Sequence, residues 1–157
     1  MTITVEKIGG TSMSAFDAVI DNIILKPESP YNRVFVVSAY GGITDGLLEC
    51  KRSGKPGVYQ MIAKRDEDWH QSMADLEQRM LMINENLFAD PMNRIRADKF
   101  IRARISEATN CVENILDTCQ YSQFTLRQYL TQIREFLASL GEVHSAYNLA
   151  LKLKTLG

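Results

Sequence analysis

Twice within the first fifty residues an apolar run ends in a pair of glycines and passes directly into helical periodicity. The first unit is Val5-Glu6-Lys7-Ile8-Gly9-Gly10-Thr11-Ser12, and the second runs from Val34-Phe35-Val36-Val37-Ser38 through Gly41-Gly42 to Thr44-Asp45-Gly46. Ile3 to Ile8 reads as a short strand and Arg33 to Ser38 as a second. The second has no polar alternation, which suits a parallel strand covered on both faces. Between them Phe16, Val19, Ile20, Ile23 and Ile24 mark one buried helix face. Ser14 is expected as its N-cap, with Asp17 three residues on, and Pro27 and Pro30 as its stop. Strand, helix and strand in this order predict a right-handed βαβ unit. Both Gly-Gly turns then lie at the carboxyl ends of parallel strands, facing one crevice.

These residue types suit an anion. Glycine lets a backbone approach a ligand closely, and the N–H groups at a helix start point at negative charge. Lys7 adds a full positive charge at the strand end. Thr11 and Ser12 offer hydroxyl donors or helix caps, Ser38 and Thr44 offer two more hydroxyls, and Gly42 leaves room for close approach. No G-x-x-x-x-G-K-[ST] run is present, so this is not a Walker A loop. One Gly-Gly turn is compatible with a plain connection. Its repetition is what argues for a phosphate site.

The rest of the chain changes character. Cys50 to Gly57 is a polar loop rich in turn formers. Trp69, Met73, Leu76, Met80, Ile83 and Leu87 then step alternately by four and three, the spacing of packed helices. Asp90-Pro91 interrupts, and Ile101, Ile105, Ala108, Val112, Ile115 and Cys119 repeat the pattern. After a turn at Tyr121 to Thr125, Leu126, Leu130, Ile133, Leu137 and Leu140 give a third amphipathic helix, and Gly157 suits the cap of a last one. An antiparallel helical layer or bundle is expected, with Trp69, Met73 and Met80 in its core. His70 and His144 lie far apart without a ligand cluster, so no metal site is expected. Lys51, Arg52, Lys55, Lys64 and Arg65 read as a solvated face beside Asp66, Glu67 and Asp68.

The 157 residues carry 18 basic and 19 acidic side chains, a net charge of −1, which favours neither a nucleic-acid nor a membrane partner. The amino terminus lacks the basic start and apolar stretch of a signal peptide. Cys50, Cys111 and Cys119 form no C-x-x-C pair and are expected as buried free thiols, with a reducing cytoplasm as the compartment.

The motifs together resemble a known family. Lys7-Ile8-Gly9-Gly10-Thr11-Ser12 resembles the K-[FI]-G-G-T-S opening of aspartate kinases. Val36 to Asp45 resembles their second motif, and Gly141-Glu142-x-x-Ser145-Ala146 their G-E-x-x-S-A motif. The resemblance implies an α/β fold, the N-terminal part of a parallel-sheet amino-acid kinase fold, helix-rich, with a layer of long amphipathic helices. Residues 1–157 would be the N-terminal portion of the catalytic domain, with strand–helix–strand over 1–49 and the helical layer over 58–157. The implied activity is transfer of a phosphoryl group from ATP with Mg2+ to the side-chain carboxylate of L-aspartate. The product would be 4-phospho-L-aspartate, the first step of aspartate-family amino-acid biosynthesis.

By the same resemblance Lys7, with Gly9 and Gly10, contacts the ATP phosphates, and Ser38, Thr44 and Glu142 hold aspartate. Thr11 and Ser12 join the first group and Gly42 the second. Glu142, expected at a break before a helix, would pair with the substrate ammonium group. The family's substrate arginine, catalytic aspartate, adenine-binding segment and ACT domains lie C-terminal to these motifs. An N-terminal fragment without turnover of its own is therefore expected, and the wording around Tyr31 to Gly42 resembles the branch associated with ectoine synthesis. A homodimer joined through a strand edge or the helical layer is also expected. Another amino-acid or carbamate kinase of the superfamily, or a non-catalytic helical interaction module, are the alternatives.

Overall fold

A computed structural model describes residues 3–26, 31–121 and 123–156. The helix stop expected at Pro27 and Pro30, and the cap expected at Gly157, lie outside the described residues. Two strands, β1 (Thr4–Ile8) and β2 (Arg33–Val37), pair in parallel with Thr4 opposite Arg33 and Ile8 opposite Val37. Between them come α1 (Gly10–Met13), α2 (Phe16–Val19) and a π-helical turn, Ile20–Ile24. The sequence order strand, helix, parallel strand is therefore what forms.

One side chain ties the unit together. Arg33 grips Glu6 with two parallel bonds, Nε to Oε1 at 2.6 Å and Nη2 to Oε2 at 2.7 Å. Its guanidinium also donates to the carbonyls of Ile23 and Ile24, both at 2.8 Å. A planar fork of five donors suits this task. It joins both strands to the end of the helical segment, whose carbonyls would otherwise lack partners.

Among the described residues the sheet is covered on one face only, unlike the expectation for so apolar a strand. Val5, Val34 and Val36 share the open face at 69%, 48% and 48% exposure. The opposite face carries Glu6, Arg33 and Phe35 toward the helices. Ser14 does not cap α2 either. It follows α1, where its Oγ donates to Gly10 O at 3.2 Å and accepts the Gly41 N–H at 3.1 Å.

Beyond the strands lie α3 (Ile43–Leu47) and α4 (Val58–Ala63), then three long helices, α5 (Trp69–Leu87), α6 (Pro91–Tyr121) and α7 (Leu126–Leu156). Asp90 starts α6 by accepting the Asn93 N–H at 3.0 Å, with Pro91 at the first helical position. The alternating four-and-three series is the core. Trp69, Met73 and Met80 are almost fully buried, against Ile101, Ile105 and Val112 of α6 and Ile133 and Leu137 of α7. Among the described residues no helix is long and apolar enough to cross a membrane. Of the three thiols expected to be buried, Cys119 is buried, Cys50 half-buried and Cys111 exposed. The exposed one sits on the outer side of α6, where the stripe turns to solvent.

The third helix differs most from expectation. It continues through Gly141 and Glu142 to Leu156 without a break. Gly141 is a point of close approach rather than an interruption: a Cβ there would lie 2.6 Å from Ala39 Cβ and 3.3 Å from Ile43 Cγ2. Gly141→Ala therefore tests the packing by its sign. In an unconstrained helix that change stabilises by roughly 1 kcal/mol. Here α7 must move off the Ala39 turn, and overpacking costs about 1–3 kcal/mol. A lower urea midpoint is expected, and a raised one would contradict the close approach.

Candidate functional site

Three separate stretches meet at Ala39. From one side comes Gly10, whose missing Cβ would sit 2.8 Å from Ala39 O. From the other comes Gly141 of α7. The meeting is fixed by hydrogen bonds: Ser145 Oγ lies 2.9 Å from Ser38 O and 3.0 Å from Glu142 O and shares its proton between them. Ser14 links the first glycine turn to Gly41 of the second. Both turns and the α7 motif thus adjoin, as the topology required, with β2 ending beside them.

Gly9 and Gly10 form the first turn, and Thr11 and Ser12 lie exposed in the first turn of α1, where backbone N–H groups have no partner within the helix. Lys7 projects from the open sheet face, opposite Val36. Among the described residues it enters no ion pair. Ser38 is half-buried and lies next to the exposed Glu142 through Ser145. Glu142 is held by an unbroken helix, not by a break before one. Gly42 opens α3 in the left-handed region, φ 76°, and its carbonyl accepts from Arg79 at 3.2 Å. Thr44 is brought to a neighbouring place: it borders a hollow of about 280 Å3 shared with Tyr59, Gln60 and Arg134.

Behind the second turn is a buried polar group that periodicity alone does not announce. Tyr40, Asn84, His144 and Asn148 come from the turn, α5 and α7, and each is at most 4% exposed. Asn84 Nδ2 donates to Asp98 at 2.9 Å, which leaves its Oδ1 as acceptor for Asn148 Nδ2 at 2.8 Å and for His144 Nε2 at 2.7 Å. Asn148 Nδ2 also reaches Tyr40 Oη at 3.3 Å. His144 therefore carries its proton on Nε2. Among the described residues, His144 Nδ1 and Asn148 Oδ1 have no hydrogen-bond partner. The only sequence signal was the i, i+4 pair of polar residues, His144 and Asn148, inside an apolar helix face.

Burial lowers the His144 pKa from 6.5 to about 4 and pushes the Tyr40 phenol up. The folded state thus keeps His144 neutral where an unfolded chain would protonate it. Stability falls as the pH drops from 6.5 toward 4 and loses nothing more from this group below that. A shift of this size corresponds to about 3 kcal/mol. Denaturation midpoints across that window should show the loss, and His144→Asn should flatten it. An unchanged acid limb in the variant would contradict the buried neutral imidazole.

The comparisons with known proteins agree with the motifs. The chain is 46% identical, over 98% of its length, to an aspartate kinase, Ask_Ect, of Stutzerimonas stutzeri (strain A1501). This bears out the resemblance to aspartate kinases. The chain spans 33% of the length of that relative. No family model matches the sequence, and no solved structure matches it.

Proposed function

We propose that this chain is the N-terminal portion of the catalytic domain of an ATP-dependent kinase with an amino-acid kinase fold. It would act on the side-chain carboxylate of L-aspartate to give 4-phospho-L-aspartate. The observation that carries the reading is Gly9. Its φ of −74° suits any residue, and a Cβ placed there meets nothing within 4 Å. The fold itself gives no reason for glycine at this position, whereas Gly10 beside it is required by Ala39. Close approach of a group from outside the chain would give a reason, and the neighbours suit an anion: main-chain amides, two hydroxyls and the cation of Lys7.

Phosphoryl transfer is mainly positioning and electrostatic stabilisation. Lys7, with the Gly9–Gly10 turn, Thr11 and Ser12, would hold the ATP phosphates. ATP would bring Mg2+ with it, and no described residue is given to that ion. Ser38 and Glu142, with Gly42 and Thr44 nearby, would hold L-aspartate, the exposed carboxylate of Glu142 facing the substrate ammonium group. A helical interaction module would leave Gly9 unexplained. The open face of Val5, Val34 and Val36 also offers a location for a homodimer. A single species at 17.8 kDa in sedimentation equilibrium would rule that dimer out.

Gly9→Ala separates fold from function. The melting temperature should stay unchanged, because no contact is made where the methyl group would go. Phosphate or ATP titrated to about 10 mM should shift the Gly9 and Gly10 amides in the parent chain, with affinity falling at least about tenfold in Gly9→Ala and Lys7→Ala. No saturable shift in the parent, or equal binding by Lys7→Ala, would count against the anion seat. In a chain extended by the family's remaining length, Glu142→Ala should raise KM for aspartate far more than KM for ATP.

A further inference from the structure

A second hollow, of about 450 Å3, opens between α3, α5 and the loop after Cys50, lined by Gly42, Asp45, Ser53, Lys55, Asp75 and Arg79. Its position is on the α5 side of α3, away from Ser38 and Glu142, and it takes in neither Lys7 nor the first turn. Two cations and two carboxylates face one space. Among the described residues none of the four enters an ion pair, so no cationic nitrogen approaches a carboxylate oxygen here within 4.0 Å. Opposite charges kept apart around a cavity are complementary to a molecule carrying both signs.

Arg79 is seated for such a role. Its guanidinium lies on two glycines one helical turn apart: a Cβ at Gly42 would be 2.9 Å from Nη2, and one at Gly46 would be 3.3 Å from Nη1. One of its five N–H groups is spent on Gly42 O. The others have no acceptor among the described residues, and a planar fork fixed from beneath is the geometry that grips a carboxylate through two parallel bonds. Asp75, held at Oδ1 by Gln71 Nε2 at 2.8 Å, and Asp45 supply the anionic end for an ammonium group.

We propose that this hollow binds a free α-amino acid: its carboxylate would lie on Arg79 and its ammonium group between Asp45 and Asp75. The occupant touches the second glycine turn directly, because Arg79 holds the carbonyl of Gly42. A ligand drawing the guanidinium outward weakens that bond, and one pressing it inward strengthens it. The hollow is thus a place from which a small molecule adjusts the turn that carries Ser38 at its start and Thr44 at its end. The proposal does not rest on the kinase reading: it uses no residue of the anion seat and meets the proposed aspartate set only at the Gly42 carbonyl.

The test is a titration of the 157-residue chain followed by amide and Arg79 Nε resonances. Glycine, L-serine, L-glutamine and L-methionine serve as probes in turn, at constant ionic strength. At least one should give saturable shifts at Gly42, Gly46 and Arg79. The N-acetyl and α-amide forms of the best binder, each lacking one charge, should bind at least about tenfold more weakly. Arg79→Gln and Asp75→Asn should lose binding likewise, while Lys7→Ala, which disables the phosphate seat, should bind as the parent does. Absence of saturation with all four amino acids overturns the proposal. So does equal binding of a singly charged form, which requires no variant to fold, or full affinity in Arg79→Gln.

Discussion

The rest of the structure depends on how closely three backbone segments approach at Ala39. Gly10 meets its carbonyl and Gly141 its methyl group, at distances no Cβ could share. Small residues on both sides let the first turn, the second turn and α7 pack as backbone against backbone. Polar backbone groups brought so close must still be paired, and Ser14 and Ser145 do this: one receives the Gly41 N–H, the other supplies a donor to Ser38 O. The G-E-x-x-S-A motif is thereby a packing device as well as a display of Glu142. Its glycine admits the turn, its serine fastens it, and its glutamate faces outward beside Ser38.

What the sequence shows most clearly is what periodicity reports directly. The four-and-three series of α5 and α6 marks burial itself, and Trp69, Met80 and Ile101 are buried accordingly. The two strands and their parallel pairing were legible for a related reason, since short apolar runs joined through a helix leave few arrangements. Cover on the sheet was not legible. Val34 to Val37 is equally apolar whether both faces are packed or one is open. Arg33 was equally silent, because its partners Glu6, Ile23 and Ile24 are close in space and far apart in the chain. Gly141 misled in an instructive way. A helix-interior glycine carries a local cost, so the sequence suggests an end, whereas the reason for it is tertiary contact with Ala39.

The site residues divide in the same manner. Gly9, Gly10, Ser38 and Glu142 could be gathered from motif spacing, and the fold brings them to one neighbourhood. Tyr40, Asn84, His144 and Asn148 could not, because each is an isolated polar letter in its own element. Together they act as a directional lock. Apolar residues in their place would tolerate small slides of α7 past α5, whereas fixed hydrogen bonds at 2.7 and 2.8 Å admit one register. That register places Ser145 under Ser38. The cost is two buried acceptors without donors and an imidazole kept neutral against its ordinary preference.

The two faces of the sheet carry opposite instructions. On one, Glu6 and Arg33 satisfy each other and the end of the π-helical turn, and Phe35 joins the core, so every charge has an internal partner. On the other, Lys7 stands among Val5, Val34 and Val36 and enters no ion pair among the described residues. A lysine used only for solubility would fit any exposed strand position, and its stem would lie along the valines while the ammonium group stayed in water. Its placement is more restrictive than that. Lys7 is the last outward-facing residue of β1, and Gly9, the glycine that the fold does not require, follows two residues later. Among the described residues, a charge with no ion-pair partner and a glycine whose missing Cβ would meet nothing lie at the same strand end. One anionic ligand, as proposed above, would account for both.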